Sequence, residues 1–236
     1  MIAFKDFKTT LKYNDKLNTK FWKDDTLKSN VRLALIGIAK KWAEFSNIPS
    51  SSIKDIILVG GNANYNYTQY SDLDLHLLVD KKEIANCPDL LDDYLKDKKQ
   101  LWSLTHDITI YGHDVELYAQ DVSDSTPKNQ GCYSIKNNKW ITKPVKESVN
   151  LKDPLIKQKV KSFAERIDYL IDTKSDDVDS LNKIKTKLRE MRSSSIRRGG
   201  EFALENLVFK ELRNLGYIDK LSKYITQIQD QSLSLR

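Results

Sequence analysis

The sequence predicts an α+β protein: a small mixed β-sheet with flanking helices, followed by an all-helical C-terminal domain. Two observations predict this class. Short apolar runs bounded by glycine or polar residues occur between residues 53 and 121, as expected for strands. From Asp153-Pro154 onward, apolar residues recur at helical spacing. A boundary near 145–152 divides the chain into a first domain, residues 1–150, and a second domain, residues 151–236.

The first domain begins with a helix and two strands. Apolar residues with a period near 3.6 predict a helix over 26–46, which ends at the segment 47–50 that contains a proline. The run IKDIILVGG (53–61) is apolar and closes on two glycines, which predicts a buried strand. In DLDLHLLVD (72–80) polar and apolar residues alternate before the run becomes apolar, which predicts a second strand.

The remainder of the first domain continues this alternation of helix and strand. A proline at the start of an amphipathic pattern predicts a crossover helix over 88–103. Residues 107–121 predict two strands that meet near Gly112, or one long bent strand. Residues 122–150 are rich in turn-forming residues and predict a loop with a short hairpin around Cys132–Ile141.

The second domain is predicted to be helical throughout. Gly199-Gly200 and Gly216 interrupt the pattern and are expected to separate helices. The predicted helices cover residues 154–173, about 177–197, 201–215 and 217–230.

Positive charge is concentrated in the second domain. The whole chain holds 39 Lys and Arg against 33 Asp and Glu, a net charge of +6, with a pI near 9.0. Residues 151–236 hold 18 basic and 13 acidic residues, a net charge of +5, whereas residues 1–150 hold 21 and 20. This pattern indicates either a surface that binds phosphate or nucleic acid, or a solvated, lysine-rich helix face.

Three polar side chains share one face of the strand at 72–80. A period of two places Asp72, Asp74 and His76 on that face and the intervening leucines in the core. Two neighbouring carboxylates on a central strand repel each other, so a divalent cation is expected to neutralise them. Oxygen ligands favour Mg²⁺ or Mn²⁺ over zinc. His76 is expected either to contact a substrate phosphate or to have a structural role.

A third carboxylate follows in the strand region predicted over residues 107–121. Pairing of that strand with 72–78 would place Glu116 beside the two aspartates, and Asp114 is the competing candidate. Three carboxylates on adjacent strands can hold two divalent ions about 3.5–4 Å apart, the spacing used for in-line displacement at phosphorus. Gly60-Gly61 carries no side chains, so its backbone N–H groups can approach a phosphate closely.

Together these features resemble the signature of the polymerase-β-type nucleotidyltransferase superfamily. That signature is a strand ending in an apolar residue and two small residues, then Asp-apolar-Asp, then a later strand with a lone carboxylate between apolar residues. The chain supplies Val59-Gly60-Gly61, Asp72-Leu73-Asp74 and Val115-Glu116-Leu117 in this order. The segments LVGGNANYNYTQYSDLDLHLLVD and LENLVFKELRNLGYIDKL also resemble small nucleotidyltransferases encoded by phages and bacteria.

The resemblance implies that the small mixed sheet is a nucleotidyltransferase core using a two-metal-ion mechanism. It implies that Gly60, Gly61 and Ser71 bind the nucleotide. It also implies that Asp72 and Asp74 bridge two Mg²⁺ or Mn²⁺ ions, and that Glu116 is the third ligand, so that these three carboxylates are the catalytic and metal-binding residues.

Basic residues of the second domain are further candidates for binding the nucleotide. Arg197 and Arg198 precede the Gly199-Gly200 break, and a helix that began at Glu201 would present its N-terminus to phosphate. Glu201 itself opposes this, since a carboxylate is a good partner for that terminus. A solvated face is the alternative.

The expected function is therefore metal-dependent transfer of a nucleoside monophosphate from a nucleoside triphosphate (NTP, for example ATP) to an acceptor hydroxyl, with release of pyrophosphate. The basic second domain favours RNA, such as a tRNA 3′ end, as the acceptor. A hydroxyl group of a protein or a small molecule is the alternative acceptor. A non-catalytic binding protein or antitoxin on the same scaffold is disfavoured, because it would have no reason to keep three mutually repelling acids. The base, the number of nucleotides added and the oligomeric state stay open.

Composition excludes several other classes. No stretch approaches about 18 uncharged apolar residues, so no membrane span is expected. The charged N-terminal segment does not resemble a signal peptide, and a cytoplasmic protein is expected. Cys87 and Cys132 are too few for a disulfide framework or a four-ligand zinc site and are expected to be small buried residues. His106 and His113 flank turns and are expected at the surface.

Overall fold

A computed structural model describes residues 8–124, 130–146 and 148–235, and the chain divides into two units. The mixed-sheet unit is Tyr13–Glu147, and the helical unit is Met1–Lys12 together with Ser148–Arg236. The coarse class, α+β with a mixed sheet and a mainly helical C-terminal part, is confirmed. Residues 8–12 belong to the helical unit, which corrects the predicted first domain of residues 1–150.

The described elements follow the predicted order. The strands are β1 (Trp22–Lys23), β2 (Thr26–Leu27), β3 (Ile53–Val59), β4 (Leu73–Val79), β5 (Thr109–Ile110), β6 (His113–Asp121), β7 (Cys132–Ser134) and β8 (Lys139–Thr142). The helices are α1 (Ser29–Phe45), α2 (Pro88–Thr105), α3 (Pro154–Asp172), α4 (Val178–Gly199), α5 (Leu204–Asn214) and α6 (Tyr217–Leu233).

The first helix begins three residues later than predicted. Thr26 and Leu27 form β2, which pairs with β1 in a separate two-stranded ribbon. Asp24 has a φ of +53° in the tight turn between the two strands. The turn and the ribbon therefore take residues that apolar periodicity alone assigns to the helix.

Six strands form one sheet in the order β5-β6-β4-β3-β7-β8. The central strand β4 is antiparallel to β3 and parallel to β6. Parallel strands need a long crossover, and α2 lies in the connection between them. Because of this crossover helix, the two faces of β4 have different surroundings.

One face of β4 is part of the core of the mixed-sheet unit. Leu73, Leu75 and Leu77 are fully buried, as the alternation predicts, in a cluster with apolar residues of α1 and α2. Burial of a leucine side chain contributes about 1.5–3 kcal/mol. This packing fixes which side chains of β4 face the opposite side, where Asp74 and His76 are only half-buried.

Two hairpins match the sequence prediction. Of the two alternatives for residues 107–121, the structure has two strands, joined at Tyr111 and Gly112, which have φ values of +50° and +78°. Positive φ at both central residues matches the twist of a short hairpin. The hairpin around Cys132–Ile141 is β7 and β8.

The helical unit packs four helices around its own apolar cluster. The described N-terminal residues join it through Glu211 of α5, a fully buried carboxylate. Its oxygens accept hydrogen bonds from the Thr9 hydroxyl (3.0 Å), the Thr10 amide (2.9 Å) and the Thr10 hydroxyl (3.1 Å). A buried carboxylate needs such donors, and this explains why residues 8–12 group with helices far along the chain.

Neither cysteine forms a disulfide. Cys132 is buried as predicted, and burial raises the pKa of its thiol to about 11. Cys87 is exposed, which corrects the prediction, because it stands directly before α2 at the surface of the unit. Among the helices of the described ranges, none is both long and apolar enough to cross a membrane.

Candidate functional site

The parallel pairing of β4 and β6 brings two predicted site residues side by side. Asp74 of β4 is in register with Glu116 of β6, and neighbouring strands lie about 4.8 Å apart. Asp72 directly precedes β4 and, two residues from Asp74, lies on the same face. The paired segment begins with Leu73 and Val115, so Asp114 precedes it, and Glu116 is the better neighbour of Asp74.

The glycine turn after β3 packs against Asp74. Gly60 has a φ of +74°, and a Cβ atom on it would lie 1.6 Å from the Asp74 Oδ2 atom. Both the backbone conformation and the space that the carboxylate occupies therefore require glycine. Gly61 begins a short 3₁₀ turn, and a Cβ atom there would lie 3.1 Å from the Ser71 Oγ atom. Gly60, Gly61, Ser71 and Asp74 thus form one packed group.

Two buried asparagines hold this group together. The Asn62 Nδ2 atom donates to the backbone oxygens of Ser71 (2.9 Å) and Asp72 (2.8 Å). The Asn64 Nδ2 atom donates to the Gly60 carbonyl (2.6 Å). They bind the glycine turn and the entry to β4 to each other. Sequence reasoning missed both, although their position directly after the glycines, in GGNAN, could have indicated side chains that bind turn backbone.

We expect Asn62→Ala to lower the free energy of unfolding by about 2–4 kcal/mol. The substitution removes the bonds to the Ser71 and Asp72 carbonyls and the acceptor of the Asn18 amide. The Ser71 carbonyl keeps its bond from His113, so two buried groups lose a partner, and such a loss costs about 1–3 kcal/mol for each group. Urea unfolding measures the change. The control is Asn30→Ala, which removes one exposed hydrogen bond, to Tyr111, and should cost less than about 0.5 kcal/mol. Equal costs for the two variants would contradict the supporting role of Asn62.

His113 corrects the expectation of a surface histidine. It is 4% exposed, its ring packs edge-on against Phe21, and its Nδ1 atom donates to the Ser71 carbonyl at 2.7 Å. Counting back in steps of two from the buried Leu117 places His113 on the core face, so the alternation of β6 contained the signal. His106 is exposed, as predicted.

His76 has the structural contact that was one of its two predicted roles. Its Nδ1 atom lies 2.8 Å from the Oε1 atom of Gln120. Burial is the main cause that lowers the pKa of His76, although the hydrogen bond to Gln120 acts in the opposite direction. The neutral imidazole is therefore favoured, with Nδ1 as the donor to Gln120.

The Glu116 carboxylate pairs with a lysine. The Lys99 Nζ atom of α2 lies 2.6 Å from the Glu116 Oε1 atom and 5.6 Å from the centre of the Tyr118 ring. Within the described ranges, no group of three His, Cys, Asp or Glu side chains is placed to hold a metal ion. A metal ion could bind the Glu116 Oε1 atom only if it displaced Lys99 from that oxygen.

The remaining predicted site residues, Arg197 and Arg198, belong to the helical unit. Both are exposed in the last turn of α4. The next helix begins at Leu204, not at Glu201 as predicted, because Gly200–Phe202 form a 3₁₀ turn that starts from a φ of +72° at Gly200.

Carboxylates already occupy the start of α5. Glu201 pairs with Lys210 at 2.5 Å, and Glu205 in the first turn pairs with Lys159 at 2.9 Å. Burial is the largest single effect and opposes ionisation of Glu201. The charge and hydrogen bond of Lys210, together with the charge of Arg192 and a hydrogen bond with Asn206, outweigh burial and hold the pKa of Glu201 below its usual value. The two acids would compete with a phosphate, so the geometry does not favour this terminus as an anion site.

Comparisons of the chain with family models, curated proteins and solved structures find no match. The functional assignment therefore depends on the residues and the geometry described above.

Proposed function

We propose that the mixed-sheet unit is a metal-dependent nucleotidyltransferase. It transfers a nucleoside monophosphate from a nucleoside triphosphate to an acceptor hydroxyl and releases pyrophosphate. The in-register pairing of Asp74 with Glu116, with Gly60 packed against the Asp74 carboxylate, carries this proposal. Like charges directly opposite each other destabilise a sheet. Lys99 offsets the charge of Glu116 in the structure, and a bound cation would offset the charges of both carboxylates.

The donor chemistry of this sheet face fits Mg²⁺ or Mn²⁺. Asp72, Asp74 and Glu116 offer only carboxylate oxygens, which are the ligands that these hard cations prefer. Two ions held by these residues would lower the pKa of the attacking hydroxyl and stabilise charge on the leaving pyrophosphate.

The other residues of the site would bind and orient the triphosphate. The Gly60-Gly61 turn would offer its backbone N–H groups to phosphate oxygens. Asn64 fixes the Gly60 carbonyl, while Asn62 and His113 fix the Ser71 carbonyl. A turn held in this way keeps its geometry when the substrate binds, and such positioning lowers the barrier to in-line transfer.

Label transfer tests the function directly. The full chain is incubated with each α-³²P-labelled nucleoside triphosphate and Mg²⁺ or Mn²⁺, together with separated RNA, protein or small-molecule fractions. We expect label in RNA, and we expect EDTA to abolish the transfer. Label in protein or in a small molecule would overturn the RNA acceptor, and no label with any nucleotide, metal or fraction would overturn the enzyme assignment.

We expect Lys99→Met to increase the affinity of the chain for Mn²⁺ by about two- to fivefold. Lys99 competes with a cation for Glu116, and a partly exposed ion pair of this kind contributes about 1 kcal/mol or less. Titration calorimetry or the electron paramagnetic resonance signal of free Mn²⁺ measures the affinity without turnover. Lys98→Met is the matched control, because the Lys98 Nζ atom lies over the rings of Phe45 and Tyr94. An unchanged affinity in the Lys99 variant would contradict Glu116 as a metal ligand.

A further inference from the structure

The positive charge of the helical unit is concentrated on one helix. α4 holds seven basic and two acidic residues, a net charge of +5. The whole segment 151–236 has the same net charge, with 18 basic and 13 acidic residues. The rest of that segment is therefore neutral overall. The excess of positive charge in residues 151–236 belongs to α4 alone.

Four of these basic residues lie on one exposed face of α4. Lys187, Arg197 and Arg198 follow Lys183 by 4, 14 and 15 residues, and these spacings return to the same side of a helix with 3.6 residues per turn. We call these four residues the α4 basic face. It is about 22 Å long at 1.5 Å per residue. Glu190 is the one acid between its ends.

Close ion pairs do not account for the α4 basic face. None of the ion pairs between described residues includes a basic side chain of α4. The helix dipole favours Arg197 and Arg198 in the last turn, but it gives no support to lysines nearer the N-terminus. Lys183 and Lys187 are four residues apart, a spacing at which like charges repel.

We propose that the α4 basic face binds the phosphate backbone of the RNA acceptor. The identity of the acceptor rests on the proposed function, whereas binding of a polyanion rests on the charge of α4. Phosphates along one strand of a duplex repeat at about 3.4 Å, so a face of about 22 Å can contact several of them. A single triphosphate is too short to reach both ends of this face. Binding of an RNA backbone along α4 is therefore distinct from the nucleotide binding expected for Arg197 and Arg198.

A membrane surface is a poorer match for α4. A helix that lies on a membrane inserts an apolar face between the lipids. The apolar side of α4, with Leu181, Ile184 and Leu188, is buried in the core of the helical unit. The exposed positions of α4 carry polar, charged or glycine residues, so this helix offers anionic lipids charge but no apolar anchor.

Equilibrium binding tests the proposal without turnover. Fluorescence anisotropy with a labelled single-stranded RNA is measured for the full chain at several salt concentrations, without nucleotide or divalent metal. The variant Lys183→Gln, Lys187→Gln, Arg197→Gln should bind at least about tenfold more weakly at low salt. The slope of log K against log salt should fall by about 2, since each phosphate contact with a single strand contributes about 0.7. Glu190→Gln should bind RNA more tightly than the original chain.

A control with the same loss of charge separates a specific face from overall charge. Lys152, Lys157 and Lys223 are exposed in the same unit outside α4, and replacing all three with Gln should leave the salt slope unchanged. Equal weakening in this control, or unchanged binding in the α4 variant with an intact urea unfolding curve, would overturn the proposal. Preference for DNA of the same sequence, or for phosphatidylserine vesicles, would overturn the RNA assignment.

The binding and transfer experiments can fail separately. The double variant Asp72→Asn, Asp74→Asn should bind RNA as the original chain does, because its substitutions lie in the mixed-sheet unit. RNA binding that depends on the α4 basic face, without label transfer, would overturn the proposed function and support the α4 basic face. Label transfer to RNA, with no effect of the α4 variant on binding, would support the proposed function and overturn the α4 basic face.

Discussion

Asp74→Asn should lower kcat/KM for nucleotidyl transfer by at least about 10³-fold, a loss of roughly 4 kcal/mol of transition-state stabilisation. Asp74 lies where the three structural features of the candidate site meet: the register with Glu116, the contact with Gly60 and the neighbouring Asp72. The amide keeps the size of the side chain but removes the charge that would hold a cation. Initial rates of label transfer measure the loss, and urea unfolding should change by less than about 1 kcal/mol.

Matched substitutions on β6 identify the third carboxylate. Glu116→Gln should lose activity as Asp74→Asn does, because it removes the in-register partner. Asp114→Asn removes the same charge two residues earlier, before the paired segment begins, and should keep most of the activity. The assignment of Glu116 would be wrong if the Asp114 variant were inactive and the Glu116 variant active.

Gly60→Ala should destabilise the mixed-sheet unit by about 2–5 kcal/mol. Alanine at a φ of +74° costs about 1–2 kcal/mol, and a methyl group placed 1.6 Å from the Asp74 Oδ2 atom adds overpacking of about 1–3 kcal/mol. Displacement of Asp74 should also abolish nucleotidyl transfer. Urea unfolding and the label-transfer rate are the two measurements.

Gly112→Ala provides the control for backbone strain alone. Gly112 has nearly the same φ, +78°, but a Cβ atom there would meet nothing within 4 Å. Gly112→Ala should lower the free energy of unfolding by only about 1–2 kcal/mol and should keep the nucleotidyl-transfer activity. If both alanine variants lost the same stability and the same activity, close packing of Gly60 against the carboxylate would not matter.

Local patterns predicted most of the fold because the forces that form these elements are local. The alternation in 72–80 indicated β4 and its buried leucines, and glycines indicated the ends of helices. The predicted start of α1 was wrong because Thr26 and Leu27 pair with β1 and therefore do not join the helix. The start of α5 was wrong because Gly200–Phe202 formed a 3₁₀ turn, which apolar spacing does not reveal.

The sequence indicated which residues form the candidate site, but only partly how they are arranged in space. The spacing of Gly60-Gly61 and the two aspartates singled out these positions, but the register of Glu116 with Asp74 depends on parallel pairing across a helix crossover. The roles of Asn62, Asn64 and His113 depend on bonds to particular backbone carbonyls. The GGNAN pattern and the alternation of β6 could indicate these side chains, but neither pattern identifies which carbonyls they bind. The contact of Lys99 with Glu116 likewise brings together residues of a helix and of a strand.

The attachment of Thr9 and Thr10 to Glu211 makes the helical unit discontinuous along the chain, with the mixed-sheet unit inserted between its two parts. A ribosome therefore releases the complete sheet-forming segment before it has made the carboxylate that the first threonines need. A fragment that started at Ser148 would bury Glu211 without these donors, so we expect the helical unit to be less stable when residues 8–12 are absent.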